Sequence, residues 1–191
     1  MMIEKIHEDQ IYSNIRYADQ KLTQTEFDHC TFQNCDFSGA DLSDSNLVNC
    51  RFDSCNFTLV KLAGTGMKEV HFTECKLIGI NFDGCSDFLF SVSFGKCVLD
   101  YSSFVKKKMK KTRFTDCSLK EVDFSEADLS MVEFLNCDLL QAIFQHTNLE
   151  KADFRKAVNY SIDPEMNRMR KSQFSYSGIA GLLEKYKLDI E

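Results

Sequence analysis

Nine cysteines are the side chains of this sequence best suited to chemistry, because thiolates act as nucleophiles and as metal ligands. Cys30 and Cys35, like Cys50 and Cys55, are five positions apart, a spacing that could gather thiols around a metal ion. Free cysteine also packs as a small apolar residue. All nine share one five-residue register, which shifts by two after position 85 and which no histidine shares. We therefore interpret them as core residues and expect no metal, with a metal-binding thiol ladder as an alternative. They are Cys30, Cys35, Cys50, Cys55, Cys75, Cys85, Cys97, Cys117 and Cys137.

The other residues that commonly catalyse reactions show no grouping. His7, His29, His71 and His146 are scattered along the chain, and we expect them at the surface. The sequence contains no glycine-rich phosphate loop, no Ser/His/Asp arrangement and no pair of carboxylates that the pattern would bring together. We therefore expect a protein that is not an enzyme and binds no cofactor.

Charge and the opening residues limit the classes of protein that remain. The net charge of −6 and the pI near 5.3 argue against direct binding of nucleic acid, which normally requires a basic surface. The opening MMIEKIHEDQ has no apolar segment behind basic residues, and no run of about 18 apolar residues occurs. We expect a cytoplasmic protein with reduced thiols and no membrane association.

Large apolar residues recur at every fifth position, a period that belongs to neither an amphipathic helix nor an ordinary strand. The pattern runs from Leu22 to Phe82 and resumes from Leu89 to Phe154, after a two-residue insertion placed at 83–88. A second set of small or β-branched residues lies two positions earlier, and the cysteines belong to it. Such regularity predicts one repetitive domain.

Quintets such as 40–44 (ADLSD) and 152–156 (ADFRK) resemble the pentapeptide-repeat family. The resemblance implies an all-β fold, a right-handed quadrilateral β-helix with four quintets per coil. Residues twenty apart should then stack, and the sequence contains two such columns across the insertion. One is phenylalanine throughout, from Phe32 to Phe154, and one is cysteine, from Cys35 to Cys137. With coils about 4.8 Å apart, about seven coils form a rod about 33 Å long.

The two ends of the chain depart from the repeat. We expect a β-helix over 1–160, with 1–21 as its N-terminal cap, and a C-terminal helical cap and dimerisation segment over 161–191. Within that segment Asp163-Pro164 predicts a short helix to about residue 170. An amphipathic helix should follow Ser177-Gly178, and residues 187–191 alternate like a strand. The residues expected to form the dimer contact are Leu182, Leu183, Tyr186, Leu188 and Ile190.

A lysine run at 106–111 is the strongest local charge anomaly. Lys107 occupies an inward register position, one coil after Asp87 or Cys85, depending on where the insertion lies. An inward Asp87–Lys107 ion pair is one possibility, but burying both charges is costly. We favour a corner at 105–111 that swells outward and exposes the lysines. The basic corner is composed of Lys106, Lys108, Lys110 and Lys111.

Acidic residues follow at outward positions and form the expected partner-binding face: Asp116, Glu121, Asp123, Glu126, Asp128, Glu133 and Asp138. The stretch 32–43 and the C-terminal segment resemble Qnr and MfpA-type members of the family. That resemblance implies a homodimer that mimics DNA, binds DNA gyrase or topoisomerase IV and protects it from quinolones. Duplex DNA of this length would carry about 20 charges, so only a local acidic stripe could imitate it. A protein-binding scaffold or adaptor is the alternative function.

Overall fold

The computed structural model describes residues 5–189, as short parallel strands and isolated parallel bridges joined by turns. Two short 3-10 helices, Tyr176–Leu182 and Glu184–Tyr186, follow the last coil. The strands are β1 (Lys5–Glu8), β2 (Ile11–Ser13), β3 (Thr25–Asp28), β4 (Thr31–Gln33), β5 (Asn46–Val48), β6 (Arg51–Asp53), β7 (Gly66–Lys68), β8 (Val70–Thr73), β9 (Val92–Gly95), β10 (Arg113–Thr115) and β11 (Glu133–Leu135).

These strands stack into a continuous four-sided β-helix, as predicted. One side is a seven-stranded sheet in the order β11-β10-β9-β8-β6-β4-β2, and an adjacent side is a four-stranded sheet in the order β1-β3-β5-β7. The other two sides are joined by single parallel bridges, such as Asp36 to Asn56 and Asp41 to Lys61. All these pairings are parallel and join successive coils, so each coil is a template for the next.

Each corner of the coil is a tight turn that ends at the small residue of a quintet. The Ala40 N–H donates to the Phe37 carbonyl at 2.9 Å, and Gly39 between them has φ of +66°. A turn of this kind requires positive φ at its third residue, which explains the glycine. Polar residues that tolerate this conformation, such as Asn34 and Asn49, occupy many other corners.

The aspartate of the quintet has a structural role at these corners. Asp36 Oδ1 accepts the Ser38 N–H at 3.0 Å, and Asp41 Oδ1 accepts the Ser43 N–H at the same distance. Hydrogen bonds from these serines hold the pKa of both carboxyl groups below their ordinary value. The Asp of the ADL quintet therefore stabilises the turn.

The interior consists of the predicted columns. The rings of Phe94, Phe114 and Phe134 lie parallel, with centroids 5.2 Å apart at both steps. The column extends by one ring beyond the predicted range at each end, to Tyr12 and Phe174. Stacked, buried aromatic rings thus run along the rod from Tyr12 to Phe174, and offset stacking adds to the energy of simple burial.

Both predicted end segments differ from expectation. The strands Lys5–Glu8 and Ile11–Ser13 pair in register with the next coil. The segment expected to be an irregular N-terminal cap, 1–21, is therefore a regular turn of the β-helix wherever the structure describes it. The helix predicted after Asp163 is absent. Parallel bridges at Arg168 and Gln173 continue the β-helix through these residues, past the boundary predicted at 160. Asp163 caps a turn of the coil, because its carboxylate accepts the Glu165 N–H at 2.9 Å.

The C-terminal cap is helical, as predicted, but 3-10 in type. Gly181 lies against the Tyr160 backbone with no room for a Cβ atom, and its carbonyl accepts the Ile162 N–H at 2.9 Å. Lys185 Nζ contacts the carboxylates of Asp163 and Glu165 at 2.7 Å each. These contacts hold the cap on the last coil. Residues 187–189 form no strand, and Ile190 lies outside the described residues. None of the helices found between residues 5 and 189 has the length and apolarity to span a bilayer.

Candidate functional site

The two inserted residues form the largest irregularity of the rod. The Ser86 N–H still bonds to the Thr65 carbonyl, twenty-one positions back, as the Gly66 N–H does to Ser45, whereas Val70 pairs with Val92. The extra residues therefore lie between 86 and 92. The prediction that Leu89 points inward is wrong. Leu89 is 54% exposed and Phe88 is 80% exposed, and Phe90 is the ring that packs against the core. The apolar run FLF at 88–90 was the available signal for this exposed stretch, here called the inserted segment (residues 87–91).

Lys107 is buried, which corrects the prediction of an outward-swollen corner. Its side chain is 2% exposed, and its Nζ donates to the Cys85 carbonyl at 2.5 Å and to Asp87 Oδ1 at 2.8 Å. Both residues considered as its neighbours from the sequence therefore contact it. The Nζ also lies 5.3 Å from the centre of the Phe90 ring, within cation–π range. Lys107 thus attaches the inserted segment to the following coil.

The basic corner lies on the side of the rod that carries this segment. Lys106 reaches Glu126 at 3.7 Å, whereas Lys108, Lys110 and Lys111 form no ion pair within residues 5–189. A surface cavity of about 360 Å³ separates the lysines from the preceding coil. Its lining includes Glu69, His71, Phe90, Lys110, Lys111 and Arg113.

The seven predicted acidic residues do not form one face. Residues five apart lie on successive sides of a four-sided coil, so the set surrounds the rod. Three of the carboxylates are ion-paired, Glu126 with Lys106, Glu133 with Arg113 at 3.0 Å and Asp138 with Lys120 at 3.4 Å. Their part in binding a partner stays a prediction. The backbone pairings place four of these residues on four different sides of the rod: Asp123 pairs with Ser103, Asp128 with Lys108, Glu133 with Arg113 and Asp138 with Ser118.

Turn geometry accounts for three members of this set. Asp123 accepts the Ser125 N–H at 2.8 Å, Asp128 accepts the Ser130 N–H at 3.0 Å, and Asp138 accepts the Leu140 N–H. Asp116 and Glu121 sit at corners in the left-handed conformation, and neither accepts such a turn hydrogen bond. Asp116 Oδ1 instead accepts a hydrogen bond from the Asn136 side chain at 2.9 Å. Neither Asp116 nor Glu121 forms an ion pair within residues 5–189.

The nine thiols are buried core groups, and eight of them, all but that of Cys85, donate to backbone carbonyls within residues 5–189. The Cys35 N–H donates to Cys55 Sγ at 3.4 Å, and the Cys55 thiol donates to the Phe32 carbonyl at 3.5 Å. Burial raises the pKa of Cys50 to about 12, and burial likewise raises that of Cys85 to about 12 despite the nearby Lys107 ammonium. Within residues 5–189, no group of three His, Cys, Asp or Glu side chains is placed to hold a metal ion.

The histidines also stay apart in the structure. His29 is exposed beside Asp28, at 2.8 Å, and His71 Nδ1 lies 2.6 Å from Ser93 Oγ on the surface. His7 departs from the expected surface position, because its ring stacks on Phe27 at 4.9 Å. Its Nδ1 lies 2.6 Å from the Tyr12 hydroxyl. His7 thus belongs to the inward column of the first coil.

The predicted dimer residues occupy two environments. Leu182 packs against the end of the core, whereas Tyr186 and Leu188 are 53% and 56% exposed. Leu183 and Leu188 line a surface cavity of about 540 Å³. The outer side of the cap therefore presents apolar groups, and its role in dimerisation stays a prediction.

Comparison with known proteins identifies the repeat and the fold. The sequence matches the family described as "Pentapeptide repeat region" over residues 25–104 and 87–159. A trypsin-treated variant of QnrB1, a plasmid-mediated fluoroquinolone resistance protein, superposes with a TM-score of 0.52 at 19% identity, covering 97% of this chain and 99% of that one. Full-length QnrB1 gives a TM-score of 0.42 at 17% identity, covering 96% and 100%. HetL, from the cyanobacterium Nostoc, gives 0.28 at 16%, covering 90% and 86%. No curated protein sequence matches the chain. At these identities the likeness shows the fold alone.

Proposed function

The chain belongs to the pentapeptide-repeat family, and from that membership we propose that it is a non-enzymatic, Qnr-like protein that binds DNA gyrase or topoisomerase IV. In this proposal the rod occupies a duplex-binding surface of the topoisomerase and protects the enzyme from quinolones. We expect it to act in the cytoplasm, where its targets are found, as a homodimer joined through the C-terminal cap.

The observation that carries this proposal is the end-to-end correspondence with QnrB1. The two chains match over nearly their full lengths, so rod and terminal segments correspond together. QnrB1 is described as a fluoroquinolone resistance protein. A rod of similar extent is the feature that a duplex-binding surface would recognise.

Charge supports only a restricted form of mimicry. Within the described chain, four carboxylates of the acidic set have no ion pair: Asp116, Glu121, Asp123 and Asp128. Asp116, Glu121 and Asp123 follow one another around two adjoining corners. They would face a basic groove, while the rest of the circumference carries mixed charge.

A gyrase supercoiling assay tests the proposal, with and without ciprofloxacin. We expect the protein to inhibit supercoiling or to reduce drug-induced cleavage, and Asp116→Asn with Glu121→Gln to weaken the effect. Glu8→Gln, an exposed carboxylate at the opposite end of the rod, is the matched control. The proposal fails if a micromolar excess of wild-type protein has no effect on either reaction.

A scaffold or adaptor role is the second candidate. It is favoured by the side that carries the inserted segment. There, lysines without an ion pair within residues 5–189 and the exposed Phe88 and Leu89 differ from a DNA-like surface. This function requires no effect on a topoisomerase. It is distinguished by binding to a protein partner through that side while supercoiling is unchanged.

A further inference from the structure

The inserted segment and the coil beside it form one surface, here called the basic–apolar patch: Phe88, Leu89, Lys108, Lys110 and Lys111. Phe88 and Leu89 lie in the chain between Asp87, which contacts Lys107, and Phe90, which lines the same cavity as Lys110 and Lys111. The apolar pair is therefore next to the lysines. Phe88 is the most exposed phenylalanine among the exposed large apolar residues of residues 6–189.

The conformation of this segment is fixed by a buried charge. At the position of Lys107, other coils carry small residues, such as Ser45, Thr65, Ala127 and Thr147, and all of these are buried. Burying an ammonium group instead is costly unless hydrogen bonds compensate. Lys107 forms them with the Cys85 carbonyl and the Asp87 carboxylate, both just before Phe88 in the chain. The hydrogen bonds of Lys107 thus fix the backbone directly before the exposed pair Phe88 and Leu89.

The chain segment beside the pair, residues 106–113, carries charge of one sign. Residues 106–113 contain six basic residues and no acidic one. Lys106, Lys107 and Arg113 are neutralised by Glu126, Asp87 and Glu133. The three lysines of the patch have no such partner within the described residues. A cavity of about 360 Å³ lies beside them, large enough for a side chain.

We propose that the basic–apolar patch binds an acidic peptide segment of a partner protein, with carboxylates on the lysines and an apolar side chain against Phe88 or in the cavity. A peptide suits the site because a side chain can enter the cavity, whereas a lipid surface would meet a concave wall that includes Glu69. Duplex DNA is disfavoured by the net charge of −6. The proposal is independent of gyrase binding, which would use the corners of Asp116 and Glu121.

Selection from a random dodecapeptide phage library against the intact protein tests this assignment. We expect the selected peptides to combine Asp or Glu with aromatic or aliphatic residues, and to bind less tightly as ionic strength rises. Two variants divide the patch, Phe88→Ser with Leu89→Ser, and Lys108→Gln with Lys110→Gln and Lys111→Gln. Each should weaken the binding of synthetic versions of these peptides by about tenfold or more.

A matched control removes three exposed lysines from the other sides of the rod, Lys21→Gln, Lys61→Gln and Lys76→Gln, and should leave peptide affinity unchanged. All substituted side chains are exposed, so thermal melting should confirm that each variant folds. The proposal is overturned if selected peptides lack an acidic excess or bind both patch variants like the wild type. It is equally overturned if the patch residues are required only for binding phosphatidylglycerol vesicles or duplex DNA.

Discussion

Lys107 Nζ lies 2.8 Å from Asp87 Oδ1, and the two side chains differ sharply in exposure, 2% for the lysine and 63% for the aspartate. The ammonium is thus enclosed in the rod, while the carboxylate remains hydrated. Because of this asymmetry, losing one partner should affect the stability of the fold differently from losing the other. The loss of Asp87 leaves a buried cation with a single backbone acceptor, whereas the loss of Lys107 leaves a carboxylate that water can solvate.

We predict that Asp87→Ala lowers the free energy of unfolding by about 1–3 kcal/mol, because it leaves a buried charged donor partly unsatisfied. Lys107→Met should cost less, since an apolar side chain of similar length replaces the buried charge. Urea unfolding followed by circular dichroism measures both.

The double variant supplies the control for this prediction. Once Lys107 is methionine, Asp87→Ala should have little further effect, because no buried cation is left to stabilise. If the two substitutions lowered the free energy of unfolding equally and additively, the prediction that Asp87 acts by stabilising the buried Lys107 ammonium would be wrong.

Phe114 is enclosed between the parallel rings of Phe94 and Phe134 and is fully buried. We predict that Phe114→Ala lowers the free energy of unfolding by about 3–5 kcal/mol, because it leaves a cavity within the column. Phe88→Ala removes the same ring from an exposed position and should change stability by less than about 0.5 kcal/mol. A loss below about 1 kcal/mol for Phe114→Ala would refute its inward position.

The columns could be predicted from the sequence because the fold repeats its environment. Phe32 and Phe154 occupy the same type of site, and a constant spacing of apolar residues is enough to place both. The prediction extended even across the insertion, where Phe72 stacks on Phe94 at 5.4 Å. The five-residue step also predicts which side of the rod each acidic residue occupies. Asp123 and Asp128, five positions apart, must lie on adjacent sides, as the structure shows.

The places where prediction failed are those where one interaction overrides the register. Leu89 has the expected spacing, but the two extra residues change its direction and Phe90 takes the inward place. Lys107 is buried because two acceptors surround its amine. Spacing left this inward pair with Asp87 as one of two possibilities, and the cost of burying charge favoured the other. Asp163-Pro164 signals a helix, yet the preceding coil offers a complete parallel template. Template pairing therefore outweighs local helix preference in the last coil.

Gly181 lies so close to the Tyr160 carbonyl that a Cβ atom has no space. We predict that Gly181→Ala detaches the C-terminal cap from the last coil, because the contact is with backbone that cannot move aside. Faster amide exchange or proteolysis within 176–186, with the inner coils still protected, measures the effect.

Gly95→Ala is the matched control for the cap, since a Cβ atom there would have no neighbour within 4 Å. It should leave exchange and proteolysis unchanged. If Gly181→Ala left the cap as protected as in the wild type, the cap would not depend on this close approach.

The C-terminal cap also tests the proposed dimer. We predict that Leu183→Glu converts a homodimer to a monomer, because it replaces an apolar side chain of the proposed contact, which lines a surface cavity with Leu188, by a charged one. Size-exclusion chromatography with light scattering measures the mass of both proteins. Leu59→Glu, an exposed apolar residue far from the cap, is the control and should leave the mass unchanged. A wild-type protein that is already monomeric would exclude this interface.

Asp36 and Asp41 link the stability of the corners to pH. The pKa of each carboxyl group is lowered from its ordinary value of 3.8, chiefly by hydrogen bonds from Ser38 and Ser43. A lowered pKa means that ionisation stabilises the fold above about pH 4 and that this contribution is lost as pH falls through the folded-state value.

Replacing both Asp36 and Asp41 by asparagine keeps the turn acceptor but removes the titration. The midpoint of urea unfolding should then fall less steeply between neutral pH and pH of about 3 than in the wild type. Glu8→Gln, which takes no part in these turns, should retain the wild-type slope; an unchanged slope in the asparagine variant would show that other groups control acid stability.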